Sequence, residues 1–365
     1  MIEPRSHLAS LEPYGLGIVP AAKDDRPALI SLAQNESGRP PSPRAIAAGS
    51  AALSSSSLYA DSNWTGLRDA LASIHDLDPA LILCGSGSME LISLLMRAFA
   101  GPGASVLSTA YAYAFFRTAA EASGAEYVAV PESDMTVSVD ALLGGVTDRT
   151  KIVCVANPGN PSGTRIPSDE LRRLRDGLSD RILLVIDEAY GEFADDLDGH
   201  LFDLAERGDT VVLRTLSKAY GLAGLRVGWG VFPASIAGEL RKVQAPGPIS
   251  NVSLAAAEAA ILDQAYMRET VAETRRLKAG FLEHLTGGGV RIRPSFTNFV
   301  LIEFDSADAA RSADAFLRTK GLLMRGMSGY NLAHCLRMTI AAEGLMERAA
   351  TALWRWQKGG NREWR

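Results

Sequence analysis

The sequence predicts an α/β protein: a large domain on a doubly wound, mostly parallel sheet, and a smaller α+β domain formed by the N-terminal arm and the C-terminal part. Three observations carry this. From about residue 64 to 245, apolar runs of strand length alternate with helical patterns. Several runs end in polar loops rich in Gly or Pro, the edge at which open α/β sheets bind ligands. After about residue 249 the pattern changes to a long helical stretch, two strand patterns and a closing helix. At 365 residues and 47% apolar content, the chain exceeds one typical domain and can fill a large core shared by two lobes.

The elements follow in order. Residues 1–36 are punctuated by Pro and Gly and read as an extended arm. Arg-Pro-Pro-Ser-Pro-Arg at 39–44 reads as a short rigid link, and the hydroxyl run 54–57 as a loop. Residues 67–74 form a helix, 81–84 a strand, 88–100 a helix and 105–108 a strand. The runs 126–130, 152–156, 182–186 and 211–215 are further strands. The Ala- and Glu-rich stretch 252–285 is helical and runs between the lobes. Strands at 297–304 and 335–340 and a helix at 343–356 complete the smaller lobe. The expected division is arm and link over 1–44, the large domain over 45–248, and the interlobe helix with the small domain over 249–365.

Composition excludes several classes of function. Net charge is −5 and no basic block occurs, so nothing draws the chain to nucleic acid or an anionic membrane. The first residues lack the apolar core of a signal peptide, and no uncharged apolar run reaches 18 residues. A soluble, cytoplasmic protein is expected. Cys84, Cys154 and Cys335 lie in or beside apolar strand patterns and read as reduced core residues. The five histidines show no metal-ligand spacing, so no metal is expected.

The chemistry concentrates at strand ends. Lys218 follows the run Thr210-Val-Val-Leu-Arg-Thr-Leu-Ser and precedes a Gly-rich turn with Arg226 eight residues on. An amine there loses hydration, its pKa falls, and it becomes a nucleophile toward aldehydes. The alternative is a surface lysine after a strand. Asp187 ends the run Ile-Leu-Leu-Val-Ile, where a carboxylate needs a cationic partner or caps the next helix. Asn160 sits in Asn-Pro-Gly-Asn-Pro-Ser-Gly after a third run, a loop fixed by two X-Pro steps and two glycines. Gly85-Ser-Gly87 leads from a strand into a helix start, whose free N–H groups and dipole suit phosphate. Glu90 stands where a dinucleotide fingerprint needs its third glycine, which argues against a nicotinamide oxidoreductase.

Asn160, Asp187 and Lys218, in that order, resemble the constellation of class I and II aminotransferases of fold type I, which depend on pyridoxal 5'-phosphate. The whole-chain order, from about residue 11 to 355, is most similar to the histidinol-phosphate aminotransferase family. The resemblance rests on Leu-Glu-Pro-Tyr at 11–14, Leu-Ala-Gln-Asn-Glu-Ser at 32–37, the segment 213–226, Gly-Leu-Leu-Met-Arg at 321–325 and Leu-Arg-Met-Thr-Ile at 336–340. It implies that Lys218 carries the cofactor covalently and shuttles the proton. It implies that Asp187 pairs with the ring nitrogen while Asn160 and Tyr190 bond the ring oxygen. Tyr113 would stack on the ring, with Tyr111 as a substitute. The backbone at Ser88 and Met89, with Ser217 and Arg226, would hold the phosphate. Tyr59 would reach the cofactor of a second subunit, implying a homodimer. Tyr14, Asn35, Arg325 and Arg337 would bind substrate.

Departures from the family pattern are Met89, Gly159, Glu36-Ser-Gly-Arg39 and Ile340-Ala-Ala. Two arginines can fork a carboxylate or a phosphate, so they imply an anionic substrate of either kind. The expected reaction is ping-pong transamination between a small-molecule amino donor, histidinol phosphate first, and a 2-oxo acid, 2-oxoglutarate first. The alternatives are a general or aromatic amino-acid aminotransferase, a decarboxylase of a phosphorylated amino acid, or a binding protein without catalysis. The intact Lys218, Asp187 and Asn160 argue against the last.

Overall fold

The computed structural model describes residues 2–9, 11–15, 29–285 and 290–359. Part of the expected arm, residues 16–28 among it, therefore lies outside the described residues.

In chain order the strands and helices are β1 (Ile30–Ser31), α1 (Pro43–Ala52), α2 (Thr65–His75), β2 (Ile82–Gly85), α3 (Ser88–Phe99), β3 (Ser105–Thr109), α4 (Ala114–Ala122), β4 (Glu126–Val130), α5 (Val139–Gly144), β5 (Thr150–Ala156), α6 (Ser168–Gly177) and β6 (Leu183–Asp187). There follow α7 (Asp195–Asp198), β7 (Thr210–Thr215), β8 (Gly228–Val231), α8 (Ala234–Val243), α9 (Asn251–Leu262), α10 (Gln264–Leu285), β9 (Arg291–Ile292), β10 (Phe299–Glu303), α11 (Ala307–Thr319), β11 (Leu322–Leu323), β12 (Arg325–Gly326), β13 (Cys335–Thr339) and α12 (Glu343–Gln357).

The large sheet has seven strands in the order β2-β8-β7-β6-β5-β3-β4. The pairs from β7 through β4 are parallel; β8 runs antiparallel to both neighbours. Strands β2, β3, β5, β6, β7 and β8 are largely buried, which explains their continuous apolar runs. The register places Asp187 of β6 beside Leu213 of β7 and Ala156 of β5. The ends that carry Asn160, Asp187 and Lys218 therefore lie side by side.

The smaller lobe holds the antiparallel sheet β12-β13-β10-β9, and β1 pairs in parallel with β11 beside it. A separate apolar cluster, with Val300, Ile302, Leu317 and Met338, fills this lobe together with Leu32 from the arm. The arm thus belongs to the second lobe by packing, not by sequence neighbourhood.

Two local expectations change. The stretch 39–44 is not only a link, because Pro43 opens α1. The Ser42 hydroxyl accepts from the Ala45 N–H at 3.1 Å, and Pro43 takes the first helical position, where a missing N–H is harmless. The stretch 252–285 is two helices broken at Asp263. Helix α9 buries Ala256, Ala257 and Ile261 in the large cluster. The 22-residue α10, about 33 Å long, places Val271 in that cluster and Leu277, Phe281 and Leu285 in the other. Among the described residues no helix is long and apolar enough to cross a membrane.

Candidate active site

A cavity of about 670 Å³ opens between the sheet edge, the arm and the smaller lobe. Its walls include Lys218, Asp187, Asn160, Tyr190, Tyr113, Ser217 and Arg226. Ser88, Met89, Tyr14, Asn35, Arg325 and Arg337 complete the set of expected residues that it gathers. Tyr59 does not line it; its side chain is fully exposed on the surface. Tyr111 is also absent from the lining, its N–H bonded instead to the Glu132 carboxylate at 3.1 Å.

Lys218 is half-buried. Its Nζ donates to the backbone oxygen of Asn35 at 3.0 Å and sits 5.8 Å from the centre of the Tyr190 ring. Burial, with the Arg337 and Arg226 charges nearby, pulls its pKa down to about 8. Asp187 is buried, and burial, opposed by the Ala189 N–H and aided by the neighbouring Glu188 charge, pushes its carboxyl up to about 7. One oxygen accepts from that N–H at 3.1 Å. Asp187 does not cap the next helix: its bond to the Ala189 N–H closes the turn itself, and the helical turn Gly191–Phe193 begins at Tyr190 with no side-chain cap.

Tyr190 follows in the same turn, with its hydroxyl accepting from Asn35 Nδ2 at 2.7 Å and its ring edge-on to Phe299 at 5.2 Å. Asn35 adopts a left-handed conformation, φ 55, and its N–H is held by the Thr339 hydroxyl at 2.9 Å. The arm therefore reaches the site through fixed contacts to both lobes.

The opposite end of the cavity is built from close backbone approaches. Helix α3 begins at Ser88, with Gly87 before it at φ 80. A Cβ on Gly87 would meet Arg226 Nη2 at 2.5 Å, and a Cβ on Gly228 would meet the Ser88 nitrogen at 2.2 Å. Only glycines let the guanidinium and strand β8 lie against the helix start. The Ser86 N–H is taken by Glu90 Oε2 at 2.5 Å, an acid in the first helical turn. Arg226 donates to the Ser217 hydroxyl at 3.4 Å and to the Ala223 carbonyl at 3.0 Å.

Arg325 and Arg337 are direct partners on the adjacent antiparallel strands β12 and β13. Like charges opposite one another repel, so the pair calls for an anion. Arg337 is buried, donates to Asn160 Oδ1 at 2.5 Å and to the Ala33 carbonyl at 3.0 Å, and stands over the Phe299 ring. It forms no ion pair among the described residues; tyrosines, Arg325 and Lys218 are its electrostatic neighbours. Arg325 donates to the Gly15 carbonyl of the arm at 3.0 Å.

A family model described as aminotransferase class I and II matches residues 27–353. The chain belongs to the class I and II aminotransferases. Among relatives in this family, histidinol-phosphate aminotransferase of Dinoroseobacter shibae is 43% identical over 87% of this chain and 88% of its own length. That of Rhodospirillum rubrum is 41% identical over 99% and 98%. The crystal structure of histidinol-phosphate aminotransferase from Sinorhizobium meliloti, in complex with pyridoxal-5'-phosphate, matches at TM-score 0.86 and 29% identity, over 91% of this chain and 92% of that one. An aspartate aminotransferase mutant of Thermus thermophilus shares the fold at TM-score 0.84 and 21% identity, over 98% of this chain and 100% of the other. As in other class I and II aminotransferases, the fold is that of fold type I.

Sequence reasoning passed over Tyr330, Thr215, Ser86 and Glu36, which also line the cavity. Tyr330 accepts from the Ala114 N–H at 3.3 Å, tying the smaller lobe to the start of α4. Nothing in its surroundings, Ser-Gly-Tyr-Asn, marks it out; only the folding of the second lobe brings it here.

Proposed function

We propose that this aminotransferase moves an amino group from histidinol phosphate to 2-oxoglutarate, using pyridoxal 5'-phosphate held on Lys218, and works as a cytoplasmic homodimer. The observation that carries the cofactor is the alignment of Lys218, Asp187 and the α3 start along one cavity. The residues fit the group. A carboxyl pushed to about 7 by burial gains from a cationic ring nitrogen at its side. The open helix start beside Gly87, with Ser88, Met89, Ser217 and Arg226, offers donors for a phosphate where a side chain on Gly87 would block the approach. Tyr113 offers an aromatic face, and Asn160, its oxygen engaged by Arg337, keeps its amide donor for the ring oxygen.

Bound there, the cofactor supplies an electron sink. The protein's own groups do the rest. The Lys218 amine, its pKa lowered by burial, would take up the proton of the substrate carbon that bears the nitrogen and return it. Asp187 holds the proton on the ring nitrogen. Arg325 and Arg337 hold the substrate's anion, and a phosphate dianion matches two opposed guanidiniums better than a single carboxylate does. Tyr14 and Asn35 cover the site from the arm. Tyr59, exposed in the single chain, reaches the second subunit.

A panel of amino donors against 2-oxo acids tests the reading. Histidinol phosphate should give the highest kcat/KM, with keto product in step with consumed acceptor. Carbon dioxide release without acceptor would point to a decarboxylase instead. Aromatic or acidic amino acids outrunning histidinol phosphate would point to a general aminotransferase.

A further inference from the structure

Behind the cavity wall lies a buried charge cluster that takes no part in the reaction above. Arg214, on β7 four residues before Lys218, has no exposed side-chain surface. It meets Glu188 Oε2 through Nε at 2.9 Å and Nη2 at 2.7 Å. It meets Asp195 through Nη1 at 2.9 Å and Nη2 at 2.7 Å, one nitrogen on each oxygen. Glu192 stands 3.6 Å away. The guanidinium also faces the Phe202 ring at 5.1 Å, and the imidazoles of His75 and His200 pack against that ring.

The three carboxylates come from one stretch, 188–195, wound tightly around the guanidinium. Within it the Gly191 N–H donates to the Glu188 carbonyl at 2.8 Å, and the Ala194 N–H to the Gly191 carbonyl at 2.7 Å. Gly191 has no alternative: a Cβ there would meet Arg214 Cζ at 2.2 Å. This stretch begins directly after Asp187 and contains Tyr190. A single planar fork on the strand that delivers Lys218 thus holds the turn that presents Asp187 and Tyr190. It also neutralises Glu188, the negative charge next to Asp187.

We propose that Arg214 is a positioning residue for the cofactor site, acting through Glu188 and Asp195 to set the orientation of Asp187 and Tyr190 and the electrostatic field at Asp187. This rests on the reading that pyridoxal 5'-phosphate binds at Lys218. Lysine cannot replace the arginine, because an ammonium is a point donor and cannot bridge two carboxylates in one plane. A burial-only role would be met by any arrangement that keeps the chain folded.

The test uses the full-length protein, with Arg214→Lys, Asp195→Asn and, as a control, Arg172→Met, which breaks the exposed pair between Arg172 and Asp203. Three quantities are read: the thermal midpoint, the Kd for pyridoxal 5'-phosphate from tryptophan fluorescence, and the pH midpoint of the bound cofactor's visible band without substrate. In Arg214→Lys the Kd should rise about tenfold or more and the pH midpoint should move, because coupling through a support residue is of this order. Arg172→Met should leave both at parental values. A parental Kd and pH midpoint in folded Arg214→Lys would overturn the proposal, as would an equal change in the control. If Arg214→Lys does not fold, Asp195→Asn decides. It keeps the Glu188 contact and should move the Kd and pH midpoint in the same direction; parental values there overturn the proposal. Failure of the parental protein to bind the cofactor would overturn the Lys218 reading and, with it, this one; binding by the parent with unmoved variants overturns this one alone.

Discussion

Lys218, Asp187 and Arg337 are each set in surroundings that disfavour their charge. For Lys218 the burden is desolvation beside two arginines, and the result is an amine with a pKa of about 8. Lys218→Ala should fold, lose nearly all turnover and lose the covalent link to the cofactor. Borohydride reduction followed by peptide mapping should place the label on Lys218 in the parental protein; a label on another lysine refutes the assignment. Asp187→Asn should still bind the cofactor but lose turnover by about a hundredfold or more, since removing one member of a buried charge pair costs several kcal/mol. Single-turnover proton abstraction at the parental rate would show that Asp187 is not the ring's partner. Arg337→Ala separates two roles. A structural role inside the smaller lobe would need a carboxylate partner, yet Arg337 forms no ion pair among the described residues, its electrostatic neighbours being tyrosines, Arg325 and Lys218. The substitution should therefore lower kcat/KM by about 2–4 kcal/mol with a small change in thermal midpoint. The loss should shrink when the dephosphorylated alcohol replaces histidinol phosphate. An undiminished loss with that alcohol would favour a carboxylate-bearing substrate.

At the scale of elements, the start of α3 is the most exacting part. It is formed by a glycine at φ 80, an arginine against that glycine and a strand pressed on the first helical N–H. Gly87→Ala puts a Cβ on a backbone at φ 80, ψ 161, a region open essentially to glycine alone, about 1–3 kcal/mol of strain, and pushes the Arg226 guanidinium aside. The Kd for pyridoxal 5'-phosphate should rise about tenfold with that strain, while the remainder of the fold persists. Equilibrium dialysis measures it, and an unchanged Kd would mean that this turn does not hold the phosphate. The elements themselves were legible to different degrees. Strands β5, β6 and β7 are apolar runs bounded by turn residues, and local patterning is enough to find them. Helix α1 was not found, because Ser-Pro reads equally as linker and as cap plus first helical residue, and only packing against α9 decides.

For the whole molecule, burial of Lys218 has a thermodynamic consequence. Its folded pKa of about 8 lies below the ordinary 10.5. Between those values the unfolded chain binds more protons than the folded one, so stability rises with pH across that window. In the cofactor-free protein, denaturant titrations from pH 8 to 10.5 should show this gain, part of it from Lys278, whose burial also lowers its pKa to about 8, so Lys218→Met should show a smaller slope, not a flat one. Identical slopes would mean that the amine is not desolvated as the structure has it.

The sequence alone determined the central strands, such as β5, β6 and β7, the loops at their ends and the chemical character of each loop. Lys218 and Asp187 were readable because each is a charged residue whose position at the end of a buried strand demands a partner. That demand is local and leaves a local mark. Asn160, Ser217 and Arg226 were reached through the resemblance of their loops to the family's. Only the tertiary structure decided which groups answer one another. The opposition of Arg325 to Arg337, the turn of Asn160 toward Arg337, the approach of Tyr330 to α4 and the grip of Arg214 on Glu188 and Asp195 join residues 12 to 216 positions apart. Such contacts depend on strand register and on the docking of the second lobe, both set by the packing of apolar faces. The polar residues that benefit carry no trace of it in their own neighbourhoods.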